Sequence, residues 1–379
     1  MLGKHICYVS GTRADFGLMR STLHQMDASP DILLSIVVTG MHLIEAYGST
    51  ISEIEKEHFR ILGRVPVTLS GSGGSEMAIA LSDQIRGFVE IWGETPPDLI
   101  MVLGDRGEAL AAAVAAVHLN LHVVHLHGGE RSGSVDESFR HCITKLAHYH
   151  CVATESSKGR LIKMGEVESH ILVTGAPGLD DIRELYLMPL RQIAQRYSID
   201  QSKAFQLVLF HPVVQQEGDL RAQMEVVLEA VLKTCDQPLI FMPNADGGGD
   251  EITAAIEQNV NIDSNHKVVH SPRHEFLSLL SHAEMLIGNS SSGIIEAASF
   301  STPVINIGTR QKARERNANV IDVGVSVEEI VDAVKSVRSC KPYEECLNVY
   351  GDGYAGNRIL DFVRTIDLDP LNLEKTNAY

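Results

Sequence analysis

Short apolar runs rich in Val, Ile and Leu alternate with helical patterns along almost the whole chain, and this alternation restricts the fold more than any other feature. Strands apolar at nearly every position are buried on both faces, and such strands joined by helices form parallel βα units. A first series is expected at His5–Val9, Leu33–Thr39, Leu99–Leu103, Val123–Leu126, Cys151–Ala153 and Ile171–Val173, with helices including Met77–Trp92 and Glu108–His118 between them. A second series begins near Phe205, at Leu207–Phe210, Leu239–Met242, Lys267–Val269, Met285–Ile287, Val304–Ile307 and Val320–Val323. Single cores stop growing at roughly 250 residues, so a chain of 379 residues predicts two domains, each with its own parallel sheet. The boundary is expected in Pro177–Gln201, which contains a Pro-Gly turn and a polar helical segment, giving domains 1–178 and 179–364. GDGYAGNRILDFVRTI resembles a final helix before a polar tail, and the segment from 365 to 379 is expected to pack back on the first domain as a helix.

Hydrophobic residues make up 44% of the chain and charged residues 21%, the balance of a protein built on a substantial core. Thirty-two Lys and Arg against 49 Asp and Glu leave a formal charge of −17. That field repels phosphate backbones and anionic lipid, so neither nucleic acid nor a membrane is expected as a partner, and any anionic ligand must be held locally. No run approaches the roughly 18 apolar residues of a membrane span, and MLGKHICYVSGT reads as a strand and turn, not a secretory signal. Six scattered cysteines without a CxxC pair suit a reducing cytosol, so a cytoplasmic location without disulfides or structural zinc is expected.

In open α/β sheets ligands bind beyond the carboxyl ends of the strands, and the polar motifs of this chain cluster there. Ser10-Gly11-Thr12-Arg13-Ala14-Asp15 follows the first strand; a helix N-terminus with Arg13 suits an anion, although Arg13 equally suits a carboxylate neighbour. Leu103-Gly104-Asp105-Arg106 places Asp105 either as a helix cap or as a general base, with Arg106 available to tune it or hold a phosphate. In His125-Leu126-His127-Gly128-Gly129-Glu130, alternation puts both histidines on one face of a strand end. Ser134 and Glu137 have capping-box spacing, which starts a helix with Asp136 in its first turn. Asp136 and Glu137 stand four residues before Arg140 and His141, so simple ion pairing along the helix is the alternative to a catalytic use.

In the second half, His211 ends a strand and Asn244 follows another before a glycine run. Gly288-Asn289-Ser290-Ser291-Ser292-Gly293 feeds a helix N-terminus with backbone and hydroxyl donors suited to a diphosphate. Glu296, slightly further on, is placed to accept from ribose hydroxyls, as carboxylates do in dinucleotide-binding folds. Gly308-Thr309-Arg310 repeats the Gly-Thr-Arg of the first loop, which suggests an anionic ligand held across a cleft between the two domains.

GTRADFG, VTGMHL, LGDRGEAL, HGGERSGSVDESFRHCITKLAHYH, FHP, GNSSSGIIEA and GTRQ, in this order over nearly the whole chain, resemble the hydrolysing UDP-N-acetylglucosamine 2-epimerases of sialic-acid and related nonulosonic-acid biosynthesis. The resemblance implies two Rossmann-like domains in a glycosyltransferase-B-like fold, no redox cofactor or metal, and a homodimer or homotetramer. It implies release of UDP with inversion at carbon 2, through a 2-acetamidoglucal, giving N-acetylmannosamine from UDP-N-acetylglucosamine. Asp105 and Asp136 match family acid/base carboxylates, Glu137 a neighbouring acidic position, and His211 a histidine near the diphosphate. His127 and Glu130 join the catalytic set. Arg13, Arg106, His141, Asn244, Ser290, Ser291 and Arg310 are the expected contacts to phosphate or sugar, with Glu137 beside them and Glu296 at the ribose.

At one position the chain departs from the sialic-acid branch, whose motif reads HxEGGE: His127 stands where that pattern has a carboxylate. Histidine also serves as acid or base near neutral pH, and the substitution resembles relatives acting on UDP-N,N'-diacetylbacillosamine in legionaminic-acid synthesis. Other classes compete. His125, His127, Glu130 and Asp105 are residue types that ligate zinc in a metal-dependent hydrolase, and the same fold serves glycosyltransferases and nucleotide-sugar sensors.

Overall fold

The computed structural model describes residues 3–45, 49–67, 74–131, 136–184, 186–212, 220–243, 249–259, 262, 266–269, 271–339 and 346–379, with only the backbone of Asp136 and Glu184. The chain divides into two compact units. Met1–Arg131, Val135–Arg183 and Tyr350–Tyr379 form the first, and Glu184–Val349 makes up nearly all of the second.

The first unit holds β1 (Lys4–Ser10), β2 (Ile32–Thr39), β3 (Ile61–Val65), β4 (Leu99–Leu103), β5 (His122–Leu126), β6 (Tyr149–Val152) and β7 (Ile171–Val173). They pair in parallel in the order β3-β2-β1-β4-β5-β6-β7. Successive side chains leave a strand on opposite faces. Ile6, Tyr8, Leu34, Ile36 and Val38 accordingly enter one apolar core, and Cys7, Val9, Val37, Ile100 and Val102 enter another.

β8 (Gln206–Leu209), β9 (Pro238–Phe241), β10 (Lys267–Val268), β11 (Met285–Gly288), β12 (Val304–Ile307) and β13 (Val320–Val323) form the sheet of the second unit. Its order, β10-β9-β8-β11-β12-β13, is also parallel throughout. In both sheets the strand order reverses at the centre, between β1 and β4 and between β8 and β11. In doubly wound sheets the loops diverge to opposite faces at such a reversal, where ligands bind beyond the carboxyl ends of the strands. At the second reversal a Cβ on Gly288 would fall 1.9 Å from the Leu209 carbonyl oxygen, and φ is 143°, so this close strand contact requires glycine.

Two features differ from the sequence expectations. β3 is an additional strand: ILGRV carries Gly63 and Arg64 and forms the edge of the sheet, so it lacks the continuous apolar run that marks the central strands. The final helix read in GDGYAGNRILDFVRTI forms as Ala355–Thr365, and it is this helix, not the segment 365–379, that returns to the first unit, whose leading part runs to Arg183. The reason is the apolar spacing of Ala355, Ile359 and Val363, which are buried in the first core. Asp180 accepts hydrogen bonds from the N–H groups of Ala355 (2.9 Å) and Gly356 (2.5 Å) at the start of this helix. Lys4 Nζ donates to the carbonyls of Val363, Arg364 and Ile366 at its end. Beyond it only a 3-10 turn, Pro370–Leu373, interrupts the tail, with Pro370 at its first position and the Asp369 side chain accepting from the Leu371 N–H.

Candidate active site

The chain turns at Gly104, just past β4, and Asp105 follows at the carboxyl edge of the sheet. The carboxylate of Asp105 accepts a hydrogen bond from Arg140 Nη2 in an ion pair. Arg140, on the helix Asp136–Leu146, is only 3% exposed, and its Nε and Nη1 have no hydrogen-bond partner among the described residues. The next helix, Gly107–His118, has Arg106 at its N-cap without a side-chain capping bond, so Asp105 does not serve as the cap. Arg106 Nε donates to Glu108 Oε1 at 2.8 Å.

His125 near the end of β5 and His127 just beyond it have different surroundings. His125 is wholly buried, with Nε2 2.7 Å from the Gly104 carbonyl oxygen and Nδ1 3.1 Å from Thr144 Oγ1. Burial pushes its pKa down to about 3, so the imidazole is neutral. His127 lies beyond the strand with φ 61°, in the left-handed region that non-glycine residues rarely enter. The simple alternation that would set the two rings alike ends there. His127 Nδ1 is 2.5 Å from Glu130 Oε1, both side chains being nearly buried. Since a carboxylate only accepts, Nδ1 carries the proton in the neutral ring and Nε2 presents a lone pair. Nε2 is itself buried and has no hydrogen-bond partner among the described residues.

Asp136 opens the helix Asp136–Leu146 one turn before Arg140; Ser134, the expected cap, lies outside the described residues. Glu137 Oε1 and His141 Nε2 are 3.8 Å apart along this helix. Both line a surface hollow of about 340 Å³ together with Gly129, Arg131, Arg160 and Lys163, so a local excess of cations exists within an acidic protein.

In the loop after β1 the backbone donors are already engaged within the chain. The N–H groups of Gly11 and Thr12 donate to Asp15 Oδ2 at 3.0 and 2.7 Å, and Thr12 and Asp15 form a capping box at the start of the helix Arg13–Asp27. Donors that the sequence offers to a ligand are thus engaged by the chain's own carboxylate. Burial, with Glu108 nearby, raises the pKa of Asp15 to about 6 although Ser10 and Thr12 hydrogen bonds oppose this. Arg13 is half exposed and pairs with Glu53 at 3.0 Å.

In the second unit Asn289 ties three strand-end loops together. His211 N–H donates to its Oδ1 at 2.7 Å, and its Nδ2 donates to the His211 carbonyl at 2.8 Å. The Asn289 carbonyl accepts from Arg310 Nη1 at 3.1 Å and Gln311 Nε2 at 3.0 Å. His211, Ser290 and Arg310 are thereby gathered at the central reversal of the sheet. Ser290 caps the short helix Ser291–Ile295, which begins at Ser291. Glu296 is 6% exposed and its Oε1 is 2.7 Å from Arg273 Nη1. Asn244 lies outside the described residues.

Among the described residues no group of three or more His, Cys, Asp or Glu side chains is placed to hold a metal ion. Of the four expected as alternative ligands, His125 faces Gly104 and Thr144, Asp105 faces Arg140, and His127 with Glu130 forms a separate pair. No described helix is long and apolar enough to cross a membrane. Sequence reasoning missed Arg140, Thr144, Asn289 and Arg273 as parts of these sites. Arg140 carried a signal, four residues after Asp136, but its partner Asp105 is 35 residues away in sequence.

Two doubly wound parallel sheets, each with polar side chains gathered at the central reversal, define a two-unit protein of the glycosyltransferase-B-like class. A family model described as UDP-N-acetylglucosamine 2-epimerase matches residues 24–364. The chain belongs to this enzyme family. It is 47% identical over 376 residues to UDP-N,N'-diacetylbacillosamine 2-epimerase (hydrolyzing) of Legionella pneumophila, covering 99% of this chain and 100% of that protein. It is 35% identical over 345 residues to UDP-N-acetylglucosamine 2-epimerase of Neisseria meningitidis serogroup B, covering 90% and 89%. The crystal structure of UDP-GlcNAc 2-epimerase from Neisseria meningitidis bound to UDP-GlcNAc matches with a TM-score of 0.81 at 20% identity, covering 95% of this chain and 99% of that one.

Proposed function

We propose that the chain is a hydrolysing 2-epimerase of UDP-N,N'-diacetylbacillosamine, releasing UDP and the manno-configured diacetamido sugar. The choice of sugar rests on the 47% identity, end to end, with the Legionella relative of that name. His127 in place of the carboxylate of HxEGGE accords with it.

The carbon 2 proton is weakly acidic, so its removal needs a base held in contact and a second group to return a proton on the opposite face. Asp105 and Asp136 are assigned these two roles. One takes the proton as the C1–O bond breaks and its electron pair leaves with the diphosphate, forming the glycal. Water then adds through oxygen at carbon 1, and a proton is delivered to carbon 2. Glu130 holds His127 in the tautomer whose Nε2 accepts a proton from that water. His211 stands by the departing diphosphate. Arg13, Arg106, His141, Asn244, Ser290, Ser291 and Arg310 contact phosphate or sugar, Glu137 lies beside them, and Glu296 meets the ribose.

Both nucleotide sugars, incubated with the protein in deuterated water, test this directly. UDP release from the diacetylbacillosamine substrate is expected to be at least ten-fold faster, with one deuterium at carbon 2 of the product. Faster turnover of UDP-N-acetylglucosamine transfers the assignment to that sugar, and a product retaining hydrogen at carbon 2 overturns the elimination.

A further inference from the structure

His125 occupies a core position on β5 whose neighbours Val123, Val124 and Leu126 are apolar, yet it carries an imidazole with both nitrogens engaged. Its partner on one side is a carbonyl, which only accepts, so Nε2 bears the proton and donates to Gly104 at 2.7 Å. Nδ1 therefore accepts from the Thr144 hydroxyl at 3.1 Å. A Cβ on residue 128 would lie 3.0 Å from His125 Nδ1 and 3.1 Å from Thr144 Oγ1; glycine there leaves room for this pair. The Gly104 N–H donates in turn to the Leu126 carbonyl at 3.0 Å, so both polar groups of the residue preceding Asp105 are pinned to β5.

Thr144 stands one helical turn beyond Arg140, on the helix that begins with Asp136. That helix grips the Asp105 turn twice. Arg140 holds the carboxylate, and Thr144, through His125, holds the backbone just before it. We propose that His125 and Thr144 are positioning residues that set the Asp105 turn in register with the helix carrying Asp136. The proposal rests on the reading of Asp105 and Asp136 as the acid/base pair. His125 does not itself exchange protons with substrate, because both ring nitrogens are occupied by the protein and burial keeps the ring neutral. An apolar residue would fill the same space; the imidazole adds a fixed donor at Gly104. Misplacing a reacting group by about 1 Å lowers a rate by about 10²-fold.

His125→Phe, His125→Gln and Thr144→Val separate this role from a structural one. In folded His125→Phe, kcat is expected to fall by about 10²-fold with KM and UDP affinity within about two-fold. The isotope effect on kcat with carbon 2-deuterated substrate should rise, and the pH profile should keep its shape. Gln, whose amide can reach Gly104, should recover most of the rate. Thr144→Val should lower kcat by a smaller factor in the same pattern, and it decides the matter if His125→Phe does not fold. Backbone amide exchange at Gly104–Arg106 should quicken in each impaired variant. Unchanged kcat and exchange overturn the proposal, as does loss of one limb of the pH profile, which would make His125 an acid or base. If the unaltered protein turns over neither sugar, the functional reading fails while amide exchange still decides the coupling.

Discussion

His127 Nδ1 stands 2.5 Å from Glu130 Oε1, with the imidazole in left-handed backbone and its Nε2 turned away from the carboxylate. A carboxylate in this position fixes the tautomer of the ring and stabilises the charge it acquires on taking a proton. Glu130→Gln keeps the shape but offers an amide that can select the other tautomer. UDP release is expected to slow by about 10²-fold or more, with UDP affinity by calorimetry unchanged. A Gln variant with the original kcat would remove the pair from the chemistry.

Asp105→Asn leaves the buried guanidinium of Arg140 beside a neutral amide. Turnover is expected to disappear while UDP binding persists. Breaking a buried pair from one side costs about 3–5 kcal/mol; because the Asp105 side chain is 22% exposed, a loss nearer 2–3 kcal/mol is expected by urea denaturation. Abolished UDP binding in a folded variant would reassign Asp105 to the binding site.

Glu296 and Arg273 make a nearly buried ion pair in the second unit. If Glu296 also accepts from the ribose, Glu296→Gln should weaken UDP binding by about ten-fold, one charge-assisted hydrogen bond, and Ser291→Ala should act in the same direction. Equal UDP affinity in both variants would show that neither side chain contacts the nucleotide.

Stability should fall in mild acid. Burial holds His125 at about 3 and His148 at about 4, whereas an unfolded chain protonates histidine near its ordinary value of about 6.5. Between those limits the unfolded state binds more protons, so stability is full above about 6.5 and declines as pH falls. Glu166 acts lower on the scale. Burial pushes it up, but hydrogen bonds from His150, Lys145 and Lys375 together hold it at about 2, so its contribution is present above about 4.5 and lost towards pH 2. Between pH 7 and 5, His125 alone should remove about 2 kcal/mol, and His125→Phe should flatten the urea-midpoint profile accordingly. A midpoint independent of pH over this range contradicts the buried neutral histidines.

Much of this architecture is legible from local pattern. Central strands such as LIMVL and VINI are apolar at nearly every position because both faces are covered. The edge strand ILGRV is not, and it escapes notice for that reason. Gly104-Asp105, His127 through Glu130 and Gly288 through Ser291 are recognisable as strand-end loops because glycine and polar residues interrupt apolar runs. Their partners are not recognisable. Asp105 with Arg140, His125 with Gly104 and Thr144, and Glu296 with Arg273 join residues far apart in sequence, and nothing periodic marks such pairs.

The C-terminal segment shows the division most clearly. Sequence by itself determined that GDGYAGNRILDFVRTI reads as a final helix, that parallel strands alternate with helices, and that acids, histidines and serines collect at strand ends. Only the tertiary structure decided that Ala355, Ile359 and Val363 of this helix enter the first core, that Lys375 reaches Glu166 at 2.5 Å and the Thr144 carbonyl at 2.8 Å, and that Asp15 engages the donors of its own loop. The physical reason is that side-chain periodicity records which face is buried, whereas the partner that buries it follows from strand order. That order is set by joint burial of distant segments and by the need to satisfy each buried polar group.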